Sequence, residues 1–201
     1  LFEKDKELGL IYTGVKLKYE DHNITYNTIP SLRGYVFNKI LIKNYIGVTP
    51  SVMIKKEVIN KAGNFDKSLP ARQDYDFWIR ICKYYKIDYV KEPLVISYVR
   101  SSINRISSDV ISYEKAIEII NKKYEKDISK LSSEIQKIRK SENYFFLGSQ
   151  AVKANNSKIA RKYFIKTFKS RSNFKNLMVM IVSFFGTKAI VYARKLKNSR
   201  E

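Results

Sequence analysis

Histidine and cysteine are nearly missing from this 201-residue chain, which has one of each, His22 and Cys82. A single cysteine excludes an intramolecular disulfide framework and every Cys-x-x-Cys metal or redox motif. A single histidine excludes His-x-x-x-His metal pairs and leaves one candidate for any imidazole-based triad. Most metalloprotease, zinc-finger and thiol-redox chemistries are thereby gone. Long apolar runs are missing as well. Spanning a bilayer takes about 18–20 apolar residues, and the nearest approach, LMVMIVSFF at 177–185, is about half that. The opening LFEKDKELG has neither a basic segment leading into an apolar one nor a small-residue cleavage site. It reads as uncapped mid-helix, which predicts a piece of something longer.

Acidic residues are scarce: 19 Asp+Glu stand against 39 Lys+Arg, a formal net charge of +20. At 44% hydrophobic and 13% aromatic, the chain has what a folded core needs. Its length suits one domain or two small ones. The charge is uneven. Residues 1–150 carry 26 basic and 18 acidic side chains, net +8; residues 151–201 carry 13 basic and only Glu201, net +12. Such a bias suits an anionic partner such as nucleic acid, lipid headgroups or a phosphorylated substrate. A solvated lysine-rich surface accounts for the same numbers, since 29 of the basic residues are Lys.

The first half alternates in type. Residues 1–8 read as a helix end stopped by Gly9, and 10–17 (LIYTGVKL) as a buried strand. Residues 22–30 suit a loop or short hairpin, with His22 exposed and inert. A helix is predicted over 37–45, extended chain over 48–54, and a short helix over 56–62 ended by Gly63. Pro70 keeps the next stretch a loop. Asp74 sits where an N-cap belongs, ahead of a helix over 75–85 with a stripe at Phe77, Ile81 and Tyr84. Cys82, four residues from Trp78, reads as a small core residue. Residues 87–99 read as two extended pieces around Glu92-Pro93. This alternation implies an α/β arrangement.

From residue 108 onward the pattern is helical only. Helices over 144–153 and 158–168, broken at Asn155-Asn156, match one tetratricopeptide repeat at Tyr144, Leu147, Gly148, Ala151, Ala160 and Phe164. Thr167 and Ser172 depart from that pattern. A single repeat is a helical hairpin, not an array. Farther on, 177–185 with Ile190, Val191 and Leu196, amid Lys175, Lys188, Arg194, Lys195 and Lys197, fits a basic amphipathic helix. It suits an anionic membrane surface or packing on the hairpin equally well.

The densest chemical signal is Gly63-Asn64-Phe65-Asp66, then Gln73-Asp74-Tyr75-Asp76-Phe77-Trp78-Ile79-Arg80. A carboxylate at a loop-to-helix junction is held rigidly yet open to a ligand, and helix amides favour its ionised form. That is what a general base for a sugar hydroxyl requires. The same position also suits a plain N-cap, worth about 1 kcal/mol.

With Leu8 to Tyr12, Thr49 to Glu57, and Glu92 to Arg100, these stretches resemble the family 2 glycosyltransferases of the GT-A fold. Five segments occur in the family's order. The resemblance implies the acceptor-side half of a GT-A (Rossmann-like) α/β domain over 1–107, followed by an all-helical extension over 108–201. It implies an inverting enzyme that moves a sugar from a nucleotide-sugar donor to a glycan or lipid-linked acceptor hydroxyl. Asp74 matches the family's catalytic base, and Gln73 stands where an acidic residue is usual. Asp76 would be structural or touch acceptor; Trp78 would lie beneath the acceptor site or serve the core; Arg80 would orient carboxylates or support the loop. Arg100 and Arg105 are candidates to meet diphosphate, and no His follows the aromatic-Arg pair as a metal ligand. The family's Asp-x-Asp, which holds a divalent cation (Mg or Mn) on the donor diphosphate, would precede Leu1. Asp74-Tyr75-Asp76 has those letters in the acceptor-side position, so no metal ligand is assigned here. Alone, this half should neither bind donor nor turn over. The implied setting is cytoplasmic, peripheral on the inner face of the cell membrane through residues 171–201.

A reading of another class remains open: a basic helical module that binds nucleic acid or protein partners, with no catalysis. No RNA-binding fingerprint or helix-turn-helix signature supports it, and charge alone is non-specific. A nucleotide-binding half encoded upstream of Leu1 would separate the two.

Overall fold

The computed structural model describes residues 1–100 and 110–198, in mixed α/β architecture with one four-stranded sheet. The chain divides into two compact units. One comprises Leu1–Lys16 and Asn27–Ser97; the other comprises Leu17–Tyr26 and the chain from Tyr98 on. The expected boundary at 107 lies outside the described residues, and the tip of the first hairpin belongs to the helical unit.

Strand β1 (Leu8–Tyr19) is the hub of the sheet, pairing with β2 (Ile24–Thr28), β3 (Val52–Ile54) and β4 (Lys86–Val99). Its pairing with β3 is antiparallel, Leu10 opposite Ile54 and Tyr12 opposite Val52. Residues 1–7 are not helical. They form turns in which Asp5 Oδ1 accepts the Glu7 amide at 2.9 Å, a local bond that competes with helix. Gly9 is no helix stop: a Cβ there would lie 2.6 Å from Tyr85, so glycine admits that ring against the strand. Strand β4 runs unbroken through Pro93, whose fixed φ suits extended backbone.

Helix α1 (Phe37–Ile40) is shorter than predicted. Asn44 Oδ1 accepts the amides of Ile46 and Gly47 at 3.0 and 3.2 Å, drawing the backbone into a turn instead. Helix α2 (Lys56–Ala62) ends at Gly63, where φ is 73°, as its sequence implied. Helix α3 (Gln73–Cys82) starts and stops earlier than expected, and Tyr84 lies exposed beyond it. Tyr75, Phe77, Trp78, Ile79, Ile81 and Cys82 are all buried, so α3 is wrapped by its unit on nearly every side.

The helical unit contains α4 (Val110–Lys123), α5 (Glu125–Ser129), α6 (Ser133–Lys153), α7 (Ser157–Ser170), α8 (Phe174–Val182) and α9 (Gly186–Asn198). The expected hairpin is α6–α7. Asn155 turns the chain with φ 52°, and Asn156 Oδ1 caps α7 by accepting the Ile159 amide at 3.0 Å. Gly148 lets the helices close: a Cβ there would lie 2.8 Å from the buried Phe164 ring. Tyr19, Ile24 and Tyr26 from the hairpin tip join Leu147, Phe164 and Ile190 in this unit's core.

The single amphipathic C-terminal helix of the sequence reading is two helices. A 3₁₀ turn at Ser183–Phe185 and Gly186, with φ 88°, separate them. No unbroken apolar run reaches membrane-spanning length, but Phe174–Asn198 taken together is long enough, and an 18-residue window within it has a mean hydropathy of 1.5. Lys188 is the one charged residue between Asn176 and Ala193, so the apolar character continues past 185, though more diluted than in 177–185. Arg194, expected on the basic face, instead donates to Ser149 Oγ at 2.7 Å.

Candidate active site

The Gln73–Arg80 stretch folds as the body of α3, and its members serve different ends. Asp74 is the second residue of the helix, not its cap; Arg72 occupies the cap position in the left-handed region, φ 60°. The half-buried Asp74 carboxylate accepts the amide of Tyr75 at 2.7 Å, as an anion in a helix's first turn does. Gln73 Nε2 donates back to Leu69 O at 2.7 Å, pinning the preceding loop. Tyr75 Oη donates to Ile40 O at 2.7 Å, fixing this turn of α3 to the end of α1.

Asp76 points the other way. It is 0% exposed, and its Oδ2 accepts Arg80 Nε at 3.0 Å one turn along the helix. Arg80 also donates to Ala62 O and, at 2.7 Å, to Asn64 O. Its guanidinium stands 5.0 Å from the Phe77 ring centroid, and Phe65 meets Phe77 edge-on at 5.0 Å. The Gly63–Asp66 turn is therefore strapped to α3, and Asp66 Oδ1 tightens it by accepting from Ser68 Oγ at 2.6 Å. Asp76 and Arg80 form a strut under the loop.

Trp78 is 2% exposed, stacks on Phe77 at 5.5 Å, and buries its indole N–H without a hydrogen-bond partner among the described residues. With Thr49, Val52, Ile54, Phe65 and Phe77 it lines a slot of about 260 Å³, just under the usual range for ligand pockets. A larger apolar trough of about 670 Å³ runs past Phe2, Ile11, Pro50, Met53 and Leu94. Asp74 lines neither. Cys82 is a core residue as expected, and burial pushes its thiol up to about 12.

Arg100 belongs to the helical unit, where Glu20 engages it with both carboxylate oxygens, one at 2.9 Å from Nη2. Arg105 lies outside the described residues. His22, half-buried in a 3₁₀ turn, is less exposed than its polar surroundings suggested. Arg72 received no role from the sequence. It is buried, and its guanidinium stacks 4.2 Å from the Tyr75 ring centroid. Only its place directly before the motif could have signalled it; strained backbone at a site is visible in coordinates alone.

No group of three or more His, Cys, Asp or Glu among the described residues could hold a metal ion. Asp74 and Asp76 do not form a joint site either, because the Asp76 carboxylate is enclosed with Arg80. The pair does not fit a metal.

No family model matches the chain, and no solved structure matches it. It is similar to a protein of Haemophilus influenzae named an uncharacterized glycosyltransferase, 26% identical over 207 residues, 98% of this chain and 66% of that protein. An uncharacterized glycosyltransferase of Methanocaldococcus jannaschii is 32% identical over 109 residues, 52% of this chain and 37% of the relative. The chain thus spans just under two thirds of the first relative and little over a third of the second. Both relatives carry the name glycosyltransferase, and the first extends over almost every residue described above.

Proposed function

We propose that the chain forms the acceptor-side part of an inverting glycosyltransferase of family 2 with the GT-A fold. The observation that carries this is the division of labour in Gln73–Arg80. Asp76 and Arg80 are spent internally as a strut, while Asp74 sits half-buried in the first turn of α3. Asp74 takes the proton from an acceptor hydroxyl as that oxygen attacks the anomeric carbon of the donor sugar. Attack comes from the face opposite the nucleotide, the nucleoside diphosphate leaves with the bonding pair, and the configuration inverts. The Arg80 straps hold the neighbouring turn still, so that this carboxylate stays oriented. Gln73 and the Trp78 slot lie beside it in sequence and give the acceptor side its shape. A divalent cation (Mg or Mn) on the donor diphosphate belongs to the same reading, with its ligands outside this chain. A glycan or lipid-linked acceptor is part of the proposal.

The test is the complete open reading frame that contains Leu1, read upstream for a βαβ half ending in Asp-x-Asp. Its protein product is assayed with a panel of nucleotide sugars, following release of nucleoside diphosphate with glycan acceptors present. Transfer that Asp74→Asn abolishes supports the reading. Full transfer by Asp74→Asn removes Asp74 from the role of base.

A further inference from the structure

Helix α8 and the turn after it are built inside out, whereas α9 buries Ile190 and Val191 in the ordinary way. On α8 and the turn after it, the buried positions are polar: Asn176 and Ser183 are enclosed, and Thr187 follows on α9. Each is satisfied within its own unit. Asn176 Nδ2 donates to Ser141 Oγ at 3.1 Å and to Arg171 O at 2.8 Å. Ser183 Oγ donates to Met180 O at 2.6 Å, and Thr187 Oγ1 donates to Asn155 Oδ1. The outward positions are apolar: Phe174 is 77% exposed, Phe185 76%, and Met178, Ile181 and Phe184 are exposed with them. Phe174, Met178 and Ile181 recur at spacings of four and three along one face of α8, and Phe184 and Phe185 follow on the 3₁₀ turn. An ordinary surface helix has the opposite arrangement. So large an apolar face on one short element marks an interaction surface.

Charge selects the occupant. Residues 151–201 carry 13 basic side chains and one acidic one, and Lys188, Lys195 and Lys197 are exposed on α9 directly after the apolar face. A second copy of the same face would bring like charge against like charge across a two-fold contact. A membrane-crossing helix would have to pull Asn176 and Thr187 off Ser141 and Asn155, and the chain is already broken at Gly186. An anionic bilayer surface meets both features at once, taking phenyl rings into the headgroup boundary and pairing lysines with lipid charge.

We infer that Phe174, Met178, Ile181, Phe184 and Phe185 form a shallow wedge that seats the helical unit on the surface of an anionic lipid bilayer. The wedge stands independently of the glycosyl-transfer reading, and its test involves no sugar chemistry. The full chain is floated with phosphatidylcholine vesicles, with and without phosphatidylglycerol, alongside the variant Phe174→Ser/Phe184→Ser/Phe185→Ser. These side chains are exposed, so the variant keeps the wild-type far-UV circular dichroism. The expected result is binding that requires phosphatidylglycerol, weakens with added salt, and falls about tenfold or more in the variant. Alkaline carbonate should strip the bound chain from the vesicles. Equal binding of variant and wild type overturns the wedge, as does wild type that stays with the buoyant fraction in neither lipid. Carbonate-resistant insertion, or a dimer that the three serines dissolve, overturns it in favour of a span or a self-contact.

Discussion

Arg80 Nε lies 3.0 Å from Asp76 Oδ2, and that carboxylate has no exposure to solvent at all. Removing the cation leaves a buried charge without this partner and frees the Ala62 and Asn64 carbonyls at once. Loss of one member of a buried pair costs about 3–5 kcal/mol. Arg80→Ala should therefore destabilise by about 3 kcal/mol in urea titration. Arg80→Lys should recover part of this, since an ammonium can pair with Asp76 but cannot span both carbonyls. A loss under about 0.5 kcal/mol for Arg80→Ala would show that the strut carries no load.

Asp74→Asn should separate chemistry from folding. Its Oδ1 accepts the Tyr75 amide, and an asparagine oxygen at the same place accepts it equally well. The stability change should stay within about 1 kcal/mol, the worth of a charge at a helix N-terminus. Transfer by the complete enzyme should fall by about 10²–10⁴-fold. The two measurements, urea midpoint and turnover, are made on the same preparation. A collapse of stability together with activity would make Asp74 a structural residue.

Burial pushes the Cys82 thiol up to about 12, and burial likewise takes the Tyr12 phenol to about 12 against the pull of its backbone hydrogen bonds. Both groups hold their proton more tightly when folded. The stability they confer is whole below their unfolded values, about 8.5 for a thiol and about 10 for a phenol. It is lost as the pH rises toward 12. Unfolding free energy should accordingly begin to fall near pH ~9. In Cys82→Ala the onset should move up toward pH ~10, where Tyr12 takes over. An unchanged onset in that variant would count against the thiol. In the native protein the thiol should also resist alkylation at neutral pH and react only after denaturation.

Gly148→Ala tests the α6–α7 hairpin. Alanine favours helix by about 1 kcal/mol, but its Cβ would intrude to 2.8 Å on the fully buried Phe164 ring. Overpacking of this kind costs about 1–3 kcal/mol, so the net effect should be a lower melting temperature by about 2–4 °C. A rise in melting temperature would mean that the helices can part cheaply.

What the sequence disclosed follows from how local each signal is. The α6–α7 hairpin was legible because Asn156, Gly148 and Phe164 each act within one helix pair. Gly63 closing α2 was legible for the same reason. The start of α3 was not: a capping carboxylate was expected at Asp74, whereas the chain enters the helix through Arg72 in a left-handed conformation that tertiary packing sustains. The turn before β1 was missed because Asp5 diverts a helix-like stretch by a single side-chain bond. Within the candidate site, Asp74, Asp76 and Arg80 were picked out by pattern, but pattern could not say which carboxylate faces inward. Burial decides that, and it depends on backbone carbonyls of Ala62 and Asn64, at the end of α2 and in the turn after it, whose positions a side-chain pattern does not report.

Trp78 is the only tryptophan in the chain, and it lies in α3 of the sheet-bearing unit; the helical unit has none. Indole emission is consequently a private channel for the sheet-bearing unit and the slot beside α3, while far-UV dichroism is dominated by the helices of the other unit. The protein thus carries its own pair of site-resolved spectroscopic labels. Denaturation curves followed by the two signals will superimpose if the units melt as one and will part if they melt in sequence. A sugar entering the slot beside Trp78 would shift the emission without any engineered dye.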